Sequence, residues 1–428
     1  MENIRIIKGT KKPYLWLPSY YIPSGIPYAA VIIVSAIMYK NLGFSNIEIA
    51  FYTSWLYLPW TLKPLWSPII QIFGNNKIWI VAMQFLIAIL FGLLSFFITG
   101  NDNIFSYTLA ILWIMAFASA THDISGDGLY IESLTKQQQA CYVGWISTFY
   151  RIAMIIGQGG LVTLAGYLFN FYSIRNSYAI TFFIVAVFFI LIGIYNIFML
   201  PLLNKKRDNS IQNNSFLKEF GMIFKSYFRR KYIIVYILFL LLFRLAESQL
   251  VKISSLFMLD APESGGLGMS TSDLGIIYGT FGILALTIGG ILGGFFIYKF
   301  GLKKLIWICV CAINIPDIVY VIMSFTQTQS TYLISSLVII EMFGYGFGFS
   351  AFMTYMFKIA EGKYKTAFMS INTAFMAIGM MVPGMFSGYL QEFFTYKYFF
   401  IWIMFCTIPS FIITAFIPIG KDEFKKIK

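Results

Sequence analysis

Charge is scarce in this sequence. Lysine, arginine, aspartate and glutamate together make up 11% of its 428 residues, while 59% are hydrophobic. A mean hydropathy of +0.76 excludes a soluble globular domain. Histidine is almost absent: His122 is the single one, so a histidine-based metal site lacks its further ligands, and no metal or cofactor is expected. The position of His122 beside Asp123 leaves a proton role open. Only four cysteines occur, Cys141, Cys309, Cys311 and Cys406. All lie in or at the ends of apolar runs, which implies no disulfide framework. The chain has no His-Glu-x-x-His and no Gly-x-Ser-x-Gly, which argues against an integral-membrane enzyme. The run Gly344-Tyr-Gly346-Phe-Gly348 lacks the strand and turn of a dinucleotide fingerprint. No soluble output domain is evident, which argues against a sensor.

What is present is long apolar runs, mostly exceeding the roughly 20 residues that span a bilayer. Twelve spans are expected, at about 13–39, 46–72, 77–98, 105–131, 140–168, 177–200, 231–258, 272–298, 303–325, 331–358, 365–391 and 397–418. Each must be a helix, because backbone groups in lipid have to be satisfied within the segment. The first run follows basic residues as a signal peptide would. It is long and contains Pro18, Pro23 and Pro27, and is read as an uncleaved span. The net charge of +13 is a topology signal before it is a sign of nucleic acid, because the basic residues lie between spans. Of the 31 lysines and arginines, 24 fall in the termini and the connections after even-numbered spans. Lys40, Arg175 and Lys397 alone occupy the opposite connections. The positive-inside rule then places both termini in the cytoplasm.

The chain divides at the basic connection 201–230. This gives an N-terminal six-helix bundle over 1–200 and a C-terminal one over 231–428. Within the connection, Phe216 to Arg230 alternates apolar and basic residues, as in an interfacial helix on the inner leaflet. Two landmarks recur between the halves. Ser45…Glu48 and Ser270…Asp273 both fit a capping box, 225 residues apart. Ser67-x3-Gln71-x2-Gly74-x2-Lys77 and Gly294-x3-Tyr298-x2-Gly301-x-Lys303 recur at an offset of 227. Together they predict two homologous halves in parallel repeat. Glycines at small-x3-small spacing, Gly289/Gly293, Gly290/Gly294 and Gly384/Gly388, let helices approach closely.

Nine charged residues lie well inside spans: Lys63, Asp123, Asp127, Arg151, Arg244, Glu247, Lys252, Asp317 and Glu341. A charge in hydrocarbon costs roughly 3 kcal/mol or more, so each must face a polar interior or a partner. Asp123 and Asp127 are four residues apart and share a helix face. At 1.5 Å per residue, Lys63, Asp123 and Arg151 sit about 12–17 Å from the cytoplasmic ends of their spans and can meet. Arg244 and Glu247 lie three apart near mid-depth, at a level Glu341 can reach. Structural ion pairs and a substrate cavity with a protonatable acid both account for these sets. Trp16, Tyr20, Tyr21 and Tyr28 among the prolines of the first span fit either a sugar ligand or ordinary packing.

The second of the recurring spacings resembles the loop between helices 2 and 3 of the major facilitator superfamily, Gly-x3-Asp-x2-Gly-x-Arg/Lys-Arg/Lys. Gln71 and Tyr298 replace its acid, so a charge-based inner gate is not expected. Within that superfamily the chain resembles the AmpG muropeptide permeases. The residues concerned are Leu58-Pro-Trp-Thr-Leu-Lys63-Pro-Leu-Trp66-Ser-Pro68, His122-Asp123-x3-Asp127, Tyr150-Arg151-x2-Met154-x2-Gly157, Glu341-x2-Gly344-x-Gly346-x-Gly348 and Met376-Ala-Ile-Gly379…Pro383-Gly384. His122 departs from the usual Gln, and Arg244…Glu247 from Lys…Asp. The resemblance implies an all-α membrane protein of the major facilitator fold. In that fold helices 3, 6, 9 and 12 face lipid, with Asp317 as the one charge out of place. It further implies a proton-coupled symporter in the bacterial inner membrane, working as a monomer among lipids. The expected cargo is an amino sugar or glycopeptide from cell-wall turnover. Another periplasmic oligosaccharide, or the acetyl-CoA transporters that the same branch also resembles, are the alternatives. The proton-coupling candidates are Asp123, Asp127, Glu247 and Glu341. The substrate-binding candidates are Tyr20, Tyr21, Lys63, Arg151, Arg244 and Lys252.

Overall fold

The structure is a computed structural model that describes residues 12–72, 75–100, 103–134, 138, 142, 148–202, 213–361 and 364–419. Cys141 lies outside the described residues, as do Gly74 and the side chain of Gln71. Every regular element among the described residues is helical. The apolar runs are satisfied internally, as hydrocarbon demands.

The N-terminal half contributes α1 (Pro13–Asn41), α2 (Asn46–Trp55), α3 (Leu58–Ile72), α4 (Asn76–Thr99), α5 (Ile104–Ser133), α6 (Thr148–Leu168) and α7 (Ile174–Met199). After α8 (Asn213–Phe228) come α9 (Ile233–Leu242), α10 (Leu245–Leu259), α11 (Thr271–Phe300), α12 (Leu302–Asn314) and α13 (Ile318–Thr326). The chain closes with α14 (Thr331–Ile359), α15 (Lys365–Cys406) and α16 (Ile408–Phe416).

Among the described residues ten helical stretches are long and apolar enough to cross a membrane, against the twelve expected. The difference lies at two places. The second expected span is two shorter helices, α2 and α3, parted at Leu56 and Tyr57. The last two expected spans form one continuous stretch, Ala367–Phe416, turned at Thr395 where the backbone leaves helical geometry (φ 60°). The seventh expected span is also broken, between α9 and α10, and Arg244 stands at the break. The ninth is broken between α12 and α13 by a short turn, Ile315–Asp317, that Pro316 helps form.

Local chemistry sets several ends. Ser45 caps α2 in a complete capping box with Glu48. Ser270 caps α11 by accepting from the Asp273 backbone, and its hydroxyl donates to the Asp273 carboxylate at 2.7 Å. Gly301 ends α11 at φ +84°, a conformation side chains with a Cβ rarely adopt. Helix α8 falls where the interfacial helix was expected and docks against the C-terminal half. Tyr227 is buried beside Phe368 and Ile371 and donates to Asn372 at 2.6 Å.

The packing positions a central space. α4 lies against α5 and α7, and the outer faces of α4 and α7 expose Ile89, Phe96, Phe183, Leu191 and Phe198 as a lipid-facing surface requires. α11 lies against α14, and α10 against α15. Between the chain halves, α2 and α3 pack on α15, while α6 packs on α11. That second crossing is glycine on glycine: a Cβ on Gly279 would stand 2.5 Å from the Gly159 Cα. Of the small-residue pairs, Gly289/Gly293 and Gly384/Gly388 do lie at close helix approaches. Gly294 faces open space, and a Cβ on Gly290 would make only ordinary contact.

Among the described residues most polar contacts between the halves gather at the end remote from the termini. Lys40 pairs with Asp260 at 2.5 Å. Asn46 donates to Gln391 at 2.7 Å and to Tyr396 at 2.8 Å, and Tyr396 donates to Asp260. Thr271 donates to Asn41 at 3.1 Å. The molecule is therefore closed at this end.

Candidate functional site

Between the halves lies a cavity of about 880 Å³. Its deep part is lined by Ile32, Ala36, Ser255 and Tyr278, below the closed end. Its other end reaches Phe357, Ala360, Met369 and Thr373, on the side where α1 starts and α14 ends. Seven of the nine charges expected inside spans line it: Lys63, Asp123, Asp127, Arg151, Arg244, Glu247 and Lys252.

On the N-terminal side Lys63 and Asp123 meet, as their depths predicted. Lys63 Nζ lies 2.7 Å from one Asp123 oxygen, and Ser24 donates to the other at 2.6 Å. Both carboxylate oxygens of Asp123 are thus occupied. Arg151, the third residue expected at this depth, does not join that ion pair, makes no hydrogen bond among the described residues, and lines the cavity. Asp127, one turn beyond Asp123, is exposed to the same space.

Tyr20 and Tyr21 do not line the cavity. They are 1% and 4% exposed and pack with Trp16, Ile80 and Tyr130 behind it. The cause is Gly126. Tyr20 lies across α5 where a Gly126 Cβ would stand, 1.5 Å from its ring. From there its hydroxyl reaches the backbone oxygens of His122 and Asp123, 3.2 Å from each. On the N-terminal side the aromatic residues that do line the cavity are Tyr28, Tyr57, Trp60 and Tyr150. Tyr28 and Trp60 stand edge to face, 5.2 Å apart. Tyr57 and Trp60 flank Pro59 at the break between α2 and α3, and that Pro-Trp pair was the sequence signal available for them.

His122 is buried in a polar network between α1, α4, α5 and α7. Its Nε2 lies 3.2 Å from the Gln84 amide nitrogen, Asn196 donates to Gln84 at 3.1 Å, and Ser19 donates to Asn196 at 2.7 Å. The ring stacks on Tyr20. Every partner is on a neighbouring helix, so the network ties the four together.

On the C-terminal side Arg244 donates to the Tyr345 hydroxyl and lies over the faces of Tyr345 and Phe349, at 5.4 and 4.9 Å. Lys252 is 3% exposed, donates to Thr53 of α2 at 3.0 Å and stands 5.3 Å from the Tyr57 ring centre. It bridges the halves with a hydroxyl as its hydrogen-bond partner. Arg244 and Glu247 share one wall, but Glu341 does not join Arg244. Instead Glu247, Asp317 and Glu341 come together, each offering an oxygen within 4.8 Å of the others. Asp317 is therefore not a charge stranded on a lipid face. It is 2% exposed, because the turn at Ile315–Asp317 aims it inward at α10 and α14.

The arrangement is a solvent-reachable chamber with aromatic walls and both signs of charge, closed at one end. It can bind a polar molecule carrying an anionic group and deliver it to one side.

The profile of the Major Facilitator Superfamily matches residues 21–383. A putative transporter AmpG 4 of Rickettsia conorii is 24% identical over 408 residues, covering 92% of this chain and 94% of that protein. A putative transporter AmpG 2 of Rickettsia typhi is 24% identical over 406 residues, covering 92% and 93%. Among solved structures, a bacterial homologue of the human lysosomal transporter Spinster, in an inward-facing and unoccupied conformation, superposes with a TM-score of 0.72 at 14% identity, covering 96% of each chain. The nucleoside transporter NupG superposes at 0.69 with 16% identity, covering 94% of this chain and 98% of that one. At these identities the two structures speak for the fold.

Proposed function

This chain belongs to the major facilitator superfamily, and from that premise we propose that it is a proton-coupled symporter for anhydro-muropeptides or related amino sugars. It works by alternating access in the bacterial inner membrane, as a monomer, with both termini in the cytoplasm. The two chain halves act as six-helix bundles joined by 201–230, and the closed end faces outward.

The observation that carries the reading is the cavity wall. Arg151 holds a fixed positive charge to which no carboxylate of the described residues is assigned, because Lys63 already occupies Asp123. A guanidinium presents a planar fork of donors that suits a carboxylate, such as that of a lactyl or peptidyl group. Tyr28, Tyr57, Trp60 and Tyr150 give aromatic faces for sugar rings. The likeness to putative AmpG transporters over nearly the whole chain supports the same cargo. Asp123 is the proposed proton carrier: on protonation it releases Lys63, which then faces the substrate. Asp127 supplies a second acid at the open end, and Arg244 and Lys252 complete the binding surface from the other half.

Uptake of labelled anhydro-muropeptide in a permease-deficient strain tests this. Accumulation that this chain restores and a protonophore abolishes is the expected result. Absence of uptake with normal membrane levels overturns the cargo, and uptake indifferent to the protonophore overturns the coupling.

A further inference from the structure

Glu247, Asp317 and Glu341 come from three separate elements, α10, the turn after α12, and α14, yet each brings one oxygen within 4.8 Å of the others. All three are at most 3% exposed. Among the described residues both oxygens of Glu247 and both of Asp317 lack any hydrogen-bond partner, while Glu341 has only Tyr320, at 3.3 Å. Buried carboxyl oxygens are ordinarily bonded. Four without partners, on two side chains that each bring an oxygen to this cluster, mark a place where something else supplies positive charge. Arg244 stands one turn from Glu247, but its contacts go to Tyr345 and Phe349. One guanidinium against three carboxylates leaves two negative charges.

We propose that Glu247, Asp317 and Glu341 form a binding site for a hard metal cation of Na⁺ or Ca²⁺ size. Oxygens within 4.8 Å of one another can be bridged by an ion whose bonds to oxygen are about 2.3–2.6 Å. The donor set is oxygen only, as a hard cation prefers. The buried Tyr320 hydroxyl, already on Glu341, offers a neutral oxygen beside it. A divalent ion cancels the excess charge alone, and Na⁺ does so with one shared proton. Glu247 also lines the cavity, whereas Asp317 and Glu341 do not. The ion therefore enters from the cavity past Glu247, which closes over it. The site is separate from Asp123 and Lys63 and does not rest on the identity of the transported sugar.

The test uses the purified full-length protein in lipid nanodiscs, without sugar, at constant ionic strength with choline as the replacement cation. Binding of ²²Na⁺ and of ⁴⁵Ca²⁺ is measured between pH 6 and 9. Saturable binding of one ion per chain is expected, and which isotope binds identifies the ion. Asp317→Asn and Glu341→Gln should each weaken it at least tenfold. Each should also raise the unfolding temperature measured in choline, because removing one of three crowded charges relieves repulsion. Binding of neither ion, or binding that survives both substitutions, would overturn the proposal. Failure here leaves labelled uptake in cells unaffected, so the two readings fail separately.

Discussion

At the scale of single residues, Arg151 and Asp123 separate two roles that depth alone had merged. Lys63 and Ser24 hold the Asp123 carboxylate, which leaves Arg151 outside that pair, in the role proposed for it. Arg151→Lys keeps the charge and loses the fork of donors. Uptake should fall at least tenfold with normal membrane levels; near-normal uptake would assign Arg151 to packing. Asp123→Asn leaves Lys63 without its counter-charge and removes the proposed proton carrier. It should abolish gradient-driven accumulation while equilibrative exchange across vesicles persists. If the variant still concentrates substrate under an imposed pH gradient, the proton is carried elsewhere, and Glu247→Gln and Glu341→Gln are the next variants for the same assay.

At the scale of elements, glycines and helix breaks decide which faces meet. α14 approaches α11 so closely that a Cβ on Gly346 would stand 2.0 Å from the Leu286 carbonyl oxygen. A Cβ on Gly290, on the neighbouring face of α11, would stand 3.6 Å from the Gly346 carbonyl oxygen, an ordinary contact. Gly346→Ala should sharply reduce the yield of folded protein by size exclusion, whereas Gly290→Ala should leave it unchanged. Equal behaviour of the two would show that the approach is not needed. The contacts at the closed end form a latch of the same local kind. Asp260 joins Lys40, Tyr396 and, at 3.4 Å, Asn46. Hydrogen bonds to a charged group contribute roughly 1.5–3 kcal/mol each. Asp260→Ala should therefore shift the balance toward opening at this end by at least about tenfold. Labelling of a cysteine placed at Ser255, deep in the cavity, by an impermeant reagent from outside reads that shift. An unchanged labelling rate would rule out the latch.

At the scale of the whole molecule, the two halves meet along α2 and α3 on α15 and along α6 on α11, and the cavity opens on the side of the termini. Whether that side is the cytoplasm follows from charge. With 24 lysines and arginines on one side against three on the other, reporter fusions at residue 210 and at the C-terminus should report cytoplasm. A fusion near residue 265 should report the outside. An outward residue 210 would reverse the molecule and with it the direction of the cavity.

The sequence by itself determined that this is a helical membrane protein, which charges are held inside it, and that Lys63 and Asp123 lie at one depth. Those properties are written along one dimension: hydrophobic length fixes what spans, and residue count fixes depth. The tertiary structure decided everything that depends on rotation about the helix axis. Tyr20 turns into the core because Gly126 leaves it room, so on the N-terminal side the aromatic wall of the cavity is made by Tyr28, Tyr57, Trp60 and Tyr150 instead. The breaks at Leu56–Tyr57, at Arg244 and at Ile315–Asp317 each re-aim the residues that follow, which a uniform 3.6-residue repeat does not anticipate. That is how Asp317, assigned by helix order to the lipid, came to stand with Glu247 and Glu341. A count of residues gives its depth, but only the packing of three elements gives its direction.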